Sequence, residues 1–564
     1  MDLSQPYPEM PGHTPGKKEK TDLYKMEKAD YRICIGLAVL TVFGVIAGIW
    51  GGFRLGFTLA YGLFLLAVSL YLGRKGQKPG VFGAGCGVLA LLMAPVFITT
   101  SNTVIRCFCV IGGAVLSAVW FASLCGRRPD TEDFGLIRLL FTVFFDSTKN
   151  MPRSAASVFS GGTRAKSVSK ILLGVLCAVP VLSVVIPLLI RSDAAFEGMV
   201  SALFSNIATL AAQLLISAAL IPFVTAFALS LKKETPARQA VRTGKGLDTA
   251  FLTTFTSVLC AAYICYLCSQ LAYFFDAFRG FLPEGYENAY ADYARRGFFE
   301  LCAVAGINLA VMLFAVFCSR KKEGKPPVAL RIPSTFIGLF TLVLIGTALA
   351  KMRLYISTFG LTVLRLGTSA FMVFLAVVFI ALLMRIYLKR IRVSQTAVIA
   401  AALTVLILGL GNINGFVAKY NYEAYISGQL REIDTYYLRS LGPEGVPYIL
   451  RLCEDETVPV GIRREAAQNA YYLYTDLYES EFDYLEPDGE NMSVIYVFGD
   501  PLTRIYAKPS HFSLPLRIAY ADTQAFLARH PDFPEKQGLL LAKDSARCYF
   551  EPEEPTTAAP RTND

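Results

Sequence analysis

Asp292, Arg296 and Glu300 follow one another at four-residue steps in the stretch EGYENAYADYARRGFFEL (284–301). On a helix that spacing stacks three ionisable groups on one face, with the arginine able to pair in both directions. Asn308 lies two turns deeper on the same side, Gln270 ends the preceding apolar segment, and Glu284 opens the stretch. Ionisable groups at the edge of a membrane segment are costly and are functional candidates by default. A second charged connection, AKMRLYISTFGLTVLRLGTSAFMVF (350–374), contributes Arg353 and Arg365. These eight residues form the polar cluster the sequence nominates for binding, with an acidic group or anionic ligand as the partner the two arginines would take. The competing reading is an interfacial anchor. Tyr286, Tyr290 and Tyr293 form an aromatic strip suited to headgroups, and the basic side chains snorkel.

The elements that must position these residues are apolar. The chain has 564 residues, of which 54% are apolar and 17% charged, against roughly 25% charged in a soluble protein. Runs of roughly 20 apolar residues match a hydrocarbon core about 30 Å thick. Eleven occur, near 31–52, 55–73, 81–99, 103–125, 170–190, 207–231, 249–274, 298–318, 332–350, 366–388 and 395–411. Within lipid each must be a helix, because no water is there to satisfy a free backbone. The fold class is therefore an all-α polytopic membrane protein with about eleven transmembrane helices and a small, mainly helical extracytoplasmic C-terminal domain.

Charge sets the expected orientation. Taking alternate connections as one side, the set that includes the N-terminal tail carries 31 Lys and Arg, and the other set carries 8. The positive-inside rule then places the N-terminus in the cytoplasm and, with eleven spans, the C-terminal domain outside. Residues 419–564 carry a net charge of −10 and the remainder +20. The overall +10 thus reflects basic inner loops at an anionic leaflet, not a nucleic-acid footprint. The expected organisation is a disordered basic cytoplasmic tail over 1–30, a transmembrane domain over 31–412, an extracytoplasmic α domain over 413–550, and a disordered tail over 551–564. No signal peptide precedes the first span, which serves as its own insertion signal.

Eleven of the thirteen cysteines fall in or beside spans, where Cys acts as a small apolar residue. Cys453 and Cys548 are the two in the outer domain; a disulfide between them is allowed by the compartment and not dictated by the spacing. Three histidines, all outside the spans, give no metal or haem centre in the membrane. No metal and no cofactor are expected, and no catalytic set is recognisable. Glycines at 44, 48, 51, 52, 83, 85 and 87 suit close helix contact. GLIRLLFTVFF (135–145) is too short to span and reads as a helix on the inner surface. Pro180, Pro187 and Pro222 predict kinks.

Beyond residue 412, NYEAYISGQLREIDTYYLRSL (421–441) reads as one helix stopped by Gly442-Pro443. EGVPYILRLCED and GIRREAAQNAYYLYTDLYESEF read as two more, with the flavour of a helical hairpin repeat. SVIYVFG (493–499) reads as a short strand and LPLRIAYADTQAFLARH (514–530) as another helix.

Several of these segments carry a resemblance. LPEGYENAYADYARRGFFEL, MRLYISTFGLTVLRLGTSAFMVFLAVVF, NINGFVAKYNYEAY and IDTYYLRSLGPEGVPYIL are similar, in order, to signatures of a bacterial multi-pass membrane family known as domain of unknown function 4153/4173. RSDAAFEGMV (191–200) resembles a further block. The resemblance implies a bacterial cell-membrane protein with an outer C-terminal domain and brings no activity, so no catalytic residue is carried over. NINGF departs from the family's Asn-Pro start, which bears on the geometry of that exit turn.

Three function classes stay open. The first is a binding, scaffold or sensory protein of the envelope, with lipid and an envelope protein or anionic ligand as partners. The second is a transporter of a small or anionic solute, for which Arg106, Gln213 and Asn308 are the polar residues within spans. The third is a membrane enzyme acting on a lipid-linked substrate. The first outer loop, GGFR, has no carboxylate, which argues against a lipid-linked glycosyltransferase.

Overall fold

The computed structural model of the chain describes residues 24–127, 129, 135–159, 194–233, 247–278, 287–319, 326–477 and 513–542. Among these residues the structure is helical, apart from one isolated bridge between Leu247 and Ser319. Among the described residues, ten helices are long and apolar enough to cross a membrane. They correspond to ten of the eleven expected spans; the fifth, 170–190, lies outside the described residues. The helices leave Ile35, Val39, Leu215, Ile332 and Ile407 largely exposed. Such apolar surface is stable only against lipid.

The spanning elements are α1 (Lys28–Phe43, continued by a π-helical turn, Gly44–Ile49), α2 (Leu55–Gly73), α3 (Val81–Met93, prolonged by Val96–Thr99) and α4 (Thr103–Leu124). Two shorter helices follow, α5 (Gly135–Lys149) and α6 (Met151–Phe159). The remaining spans are α7 (Ala194–Lys233), α8 (Thr249–Phe278), α9 (Glu287–Cys318), α10 (Val328–Phe359), α11 (Val363–Tyr387) and α12 (Val393–Leu410). Several exceed the expected limits because polar residues extend the helix past the apolar run, as at the start of α9. Pro222 lies inside α7, which remains helical on both sides of it.

The chain forms two compact units. One comprises residues 1–42, 70–74 and 142–235. At its centre Asp30 is fully buried and accepts from the Tyr71 hydroxyl (2.9 Å) and the Glu27 N–H (2.9 Å), with Lys232 at 3.0 Å and Lys233 at 2.6 Å. A buried carboxylate persists when opposite charge and hydrogen bonds replace its water. In the same unit Phe144 of α5 meets Phe223 of α7, and Ser147 meets Ser230. These contacts lie near the C-terminal end of α5 and in the last three turns of α7.

The second unit comprises residues 43–69, 75–141 and 236–564. Gly83 and Gly87 let α3 approach α4 closely: a Cβ at Gly83 would fall 2.2 Å from the Ser123 hydroxyl, and one at Gly87 would fall 2.7 Å from the Trp120 ring. Gly85, on the other face, meets nothing within 4 Å. Helices α8–α11 share a buried core that includes Phe298, Met312, Ile337, Met372 and Phe379.

After α12, Asn412 turns the chain in the left-handed region (φ +47°) and caps α13 (Ile413–Ile426). Asparagine is one of the few residues that tolerate that conformation. The C-terminal module continues with α14 (Thr435–Ser440), a 3₁₀ corner (Gly442–Glu444), α15 (Val446–Glu454), α16 (Val460–Leu477), α17 (Leu514–Arg529) and α18 (Phe533–Ala542). The single helix expected over 421–441 is broken. Gly428, at φ +75°, ends α13, while Asp434 accepts from the Tyr437 N–H and starts α14. Both were stop and start signals that the apolar spacing overrode. Ile449, Leu452, Cys453, Ala466, Phe526 and Phe533 are buried in the core of the module, which also takes in Val417 and Leu361. The strand expected at 493–499 lies outside the described residues.

Candidate functional site

Two turns of the membrane base hold the C-terminal module. The first, Thr100–Ser101–Asn102, joins α3 to α4. Ser101 donates its backbone N–H to Glu444 Oε1 (2.8 Å) and its hydroxyl to Oε2. Asn102 donates Nδ2–H to Asn414 Oδ1 (2.8 Å), and Asn414 in turn donates to the Leu441 carbonyl (3.1 Å). Asn102 Oδ1 meanwhile caps α4 by accepting from the Ile105 N–H (3.0 Å). Each polar atom of this joint thus serves a backbone end or another side chain, as buried polar groups must.

Arg106 sits one turn into α4 and directs its N–H groups to three carbonyls, Thr100 (2.9 Å), Gly52 (3.1 Å) and Phe97 (3.4 Å). Glu444 is 5% exposed. Burial pushes its carboxyl above the usual carboxylate range, while the Ser101 hydrogen bonds and the charge of Arg106 oppose that rise.

The second turn, Gly360–Val363, joins α10 to α11. Asn421 of α13 donates to the Leu361 carbonyl (2.8 Å) and accepts from the Leu361 N–H (2.7 Å). Val363 donates its N–H to the Tyr437 hydroxyl (2.8 Å). Gly360 has φ +75°, and a Cβ there would stand 2.8 Å from Asn421 Oδ1. The turn is shaped to be gripped.

The residues nominated from the sequence are distributed differently. Asn308 is fully buried, accepts from the Tyr263 hydroxyl and donates to Thr341 Oγ1 (2.9 Å), tying α8, α9 and α10 together. Arg365 donates to the Phe359 carbonyl (3.0 Å) and to that of Gly360, and it lies over the Tyr355 ring at 4.2 Å. It therefore caps the C-terminus of α10, where positive charge is favoured. Glu300 and Arg353 are exposed on α9 and α10. Gln270, Asp292 and Arg296 stand on α8 and α9, but their side chains lie outside the described residues, as does all of Glu284. Cys453 is fully buried; Cys548 lies outside the described residues.

Chemically, a hydroxyl donating to a carboxylate is the start of a nucleophile–base pair. Here the second carboxylate oxygen holds the N–H of the same serine, so the pair closes a ring and reads as a brace. Among the described residues, no three of His, Cys, Asp and Glu stand together as metal ligands do. An apolar cleft in the module, lined by Ile449, Leu473, Phe526 and Phe533, has room for about one water molecule.

The sequence marks Ser101-Asn102 as a tight turn, Arg106 as a charge within a span and Gly442-Pro443 as a stop, but nothing in it joins them. No curated protein matches the chain, and no solved structure does. A family model described as "Domain of unknown function (DUF4153)" matches residues 86–452. That interval takes in both turns, α13 and the Glu444 corner, so the braced arrangement falls within what the family shares in length. The chain is an integral membrane protein that belongs to the DUF4153 family.

Proposed function

We propose that this protein presents its C-terminal module on the outer face of the cell membrane as a fixed platform, with a binding, scaffold or sensory role towards an envelope protein or anionic ligand. The observation that carries the reading is the double joint. A module on a flexible tether needs no such bonds to hold it, whereas here Glu444, Asn414, Asn421 and Tyr437 all bond to membrane-base turns. The polar residues within spans support the same reading. Asn308 is closed on Tyr263 and Thr341, and Arg106 is closed on carbonyls, so neither lines an open polar path.

Topology supports the outer placement. Both turns touch one module, so an even number of crossings must separate them. Five described spans lie between them, and the expected crossing at 170–190 makes the number even. With that count, the charge bias puts both turns and the module outside. Arg353, exposed near the second turn, is then available to an anionic partner.

The test is complementation of a strain lacking the protein. The full chain should restore the lost phenotype, and a chain lacking 423–564 should insert into the membrane without restoring it. Restoration by the truncated chain would instead favour transport through the spans.

A further inference from the structure

Glu444 is a buried carboxylate with an unusual share of partners. Its two oxygens take the N–H and the hydroxyl of Ser101, and its own backbone N–H also favours the carboxylate; all three are neutral donors. Arg106 is close enough for its charge to act on Glu444, yet its N–H groups point to the Thr100, Gly52 and Phe97 carbonyls. Asn102, Asn414 and the Leu441 carbonyl complete the joint and carry no charge. On the neighbouring elements of the module, Lys419 and Glu423 pair with each other, Arg529 and His530 engage Glu454, Arg451 lies over the Tyr448 ring and Arg439 over the Tyr472 ring, and α17 brings Arg517 and Asp522. The carboxylate is thus desolvated without a cation bonded to it, an arrangement that favours the neutral form.

We propose that the Ser101–Glu444 joint is a proton-responsive clamp, in which the neutral carboxyl holds the module to the membrane base more tightly than the carboxylate does. Taking up one proton from water reverses the direction of a single hydrogen bond. The Glu444 O–H then donates to Ser101 Oγ, the other oxygen still accepts the Ser101 N–H, and both links survive. What disappears is the buried charge.

The sign follows from linkage. A carboxyl whose pKa is raised by docking binds its proton more tightly when docked, so acidification strengthens docking. The gain begins as pH falls through the raised pKa and is complete below the ordinary glutamate value. The clamp goes beyond the platform reading, because its response is the same whichever side of the membrane the module faces.

The test is hydrogen exchange on the full-length protein in lipid nanodiscs at about pH 5 and about pH 7.5, corrected for intrinsic exchange rates. Protection of the amides over 441–446 should rise several-fold at the lower pH. Glu444→Gln keeps one acceptor and one donor towards Ser101, and it should show high protection at both pH values. Protection that is independent of pH in the natural protein, or greater at the higher pH, would overturn the clamp. So would a Glu444→Gln variant that keeps the full pH response.

Discussion

Ser101 and Glu444 lie 343 residues apart in the chain and meet through two hydrogen bonds, one from the serine amide and one from its hydroxyl. A two-atom link of this kind fixes both position and orientation of the Gly442–Glu444 corner. Ser101→Ala removes the hydroxyl and leaves a buried carboxylate oxygen without its donor. The expected cost is about 1–3 kcal/mol of stability, read as a lower midpoint of thermal unfolding in detergent. An unchanged midpoint would show that the joint bears no load.

At the second turn Asn421 satisfies both the N–H and the carbonyl of Leu361. Asn421→Ala strands both groups in a buried setting and should cost about 2–4 kcal/mol. Gly360→Ala should weaken the same contact from the other side, since its φ of +75° disfavours any side chain and the new Cβ would crowd Asn421. Limited proteolysis within α14 and α15 measures both effects. Faster cleavage is expected for each variant, with the helices of the membrane base left intact.

Asn308 offers a separation of roles within the membrane. Asn308→Leu leaves the Tyr263 hydroxyl without its acceptor and Thr341 without its donor. Interhelical hydrogen bonds in lipid contribute about 0.6–2 kcal/mol, so a modest fall in thermal midpoint is expected, with the complementing function preserved. Lost function at unchanged stability would contradict the bracing role and restore Asn308 as a ligand-binding residue.

A second carboxylate in the module behaves oppositely to Glu444. Burial raises the pKa of Glu454, but Arg529 at 2.8 Å and His530 at 3.1 Å outweigh it and hold the carboxyl below its usual range. A depressed carboxyl contributes stability above its unfolded pKa and loses it as pH falls through the folded value. Unfolding of the module should therefore show an acid limb below the ordinary glutamate range, and Arg529→Ala should flatten that limb. A limb of unchanged size in the variant would assign it to another group.

How much of this was legible beforehand depends on the range of the physics involved. Spans were readable because twenty apolar residues in a row have one stable form in lipid, and the ten described ones lie where hydropathy puts them. Helix ends were less so: α13 stops at Gly428, where apolar spacing alone ran on to Leu441. The joint itself was not readable. Ser101, Asn414, Asn421 and Glu444 are ordinary polar residues in turns and helix ends, and only the folded topology brings them together. Arg365 shows the same limit. Its charge was conspicuous, but its use, to cap α10, depends on where that helix stops.

The most direct test of an outward module is side-specific thiol labelling in intact cells with a membrane-impermeant reagent. Cys453 is fully buried and would be silent on either side of the membrane. Tyr436, 71% exposed on α14, and Lys389, exposed between α11 and α12, are better reporters. With the natural chain as background, Tyr436→Cys should label in intact cells, and Lys389→Cys should label only after permeabilisation. The reverse pattern would turn the module inward, and labelling of both in intact cells would break the span count on which the platform rests.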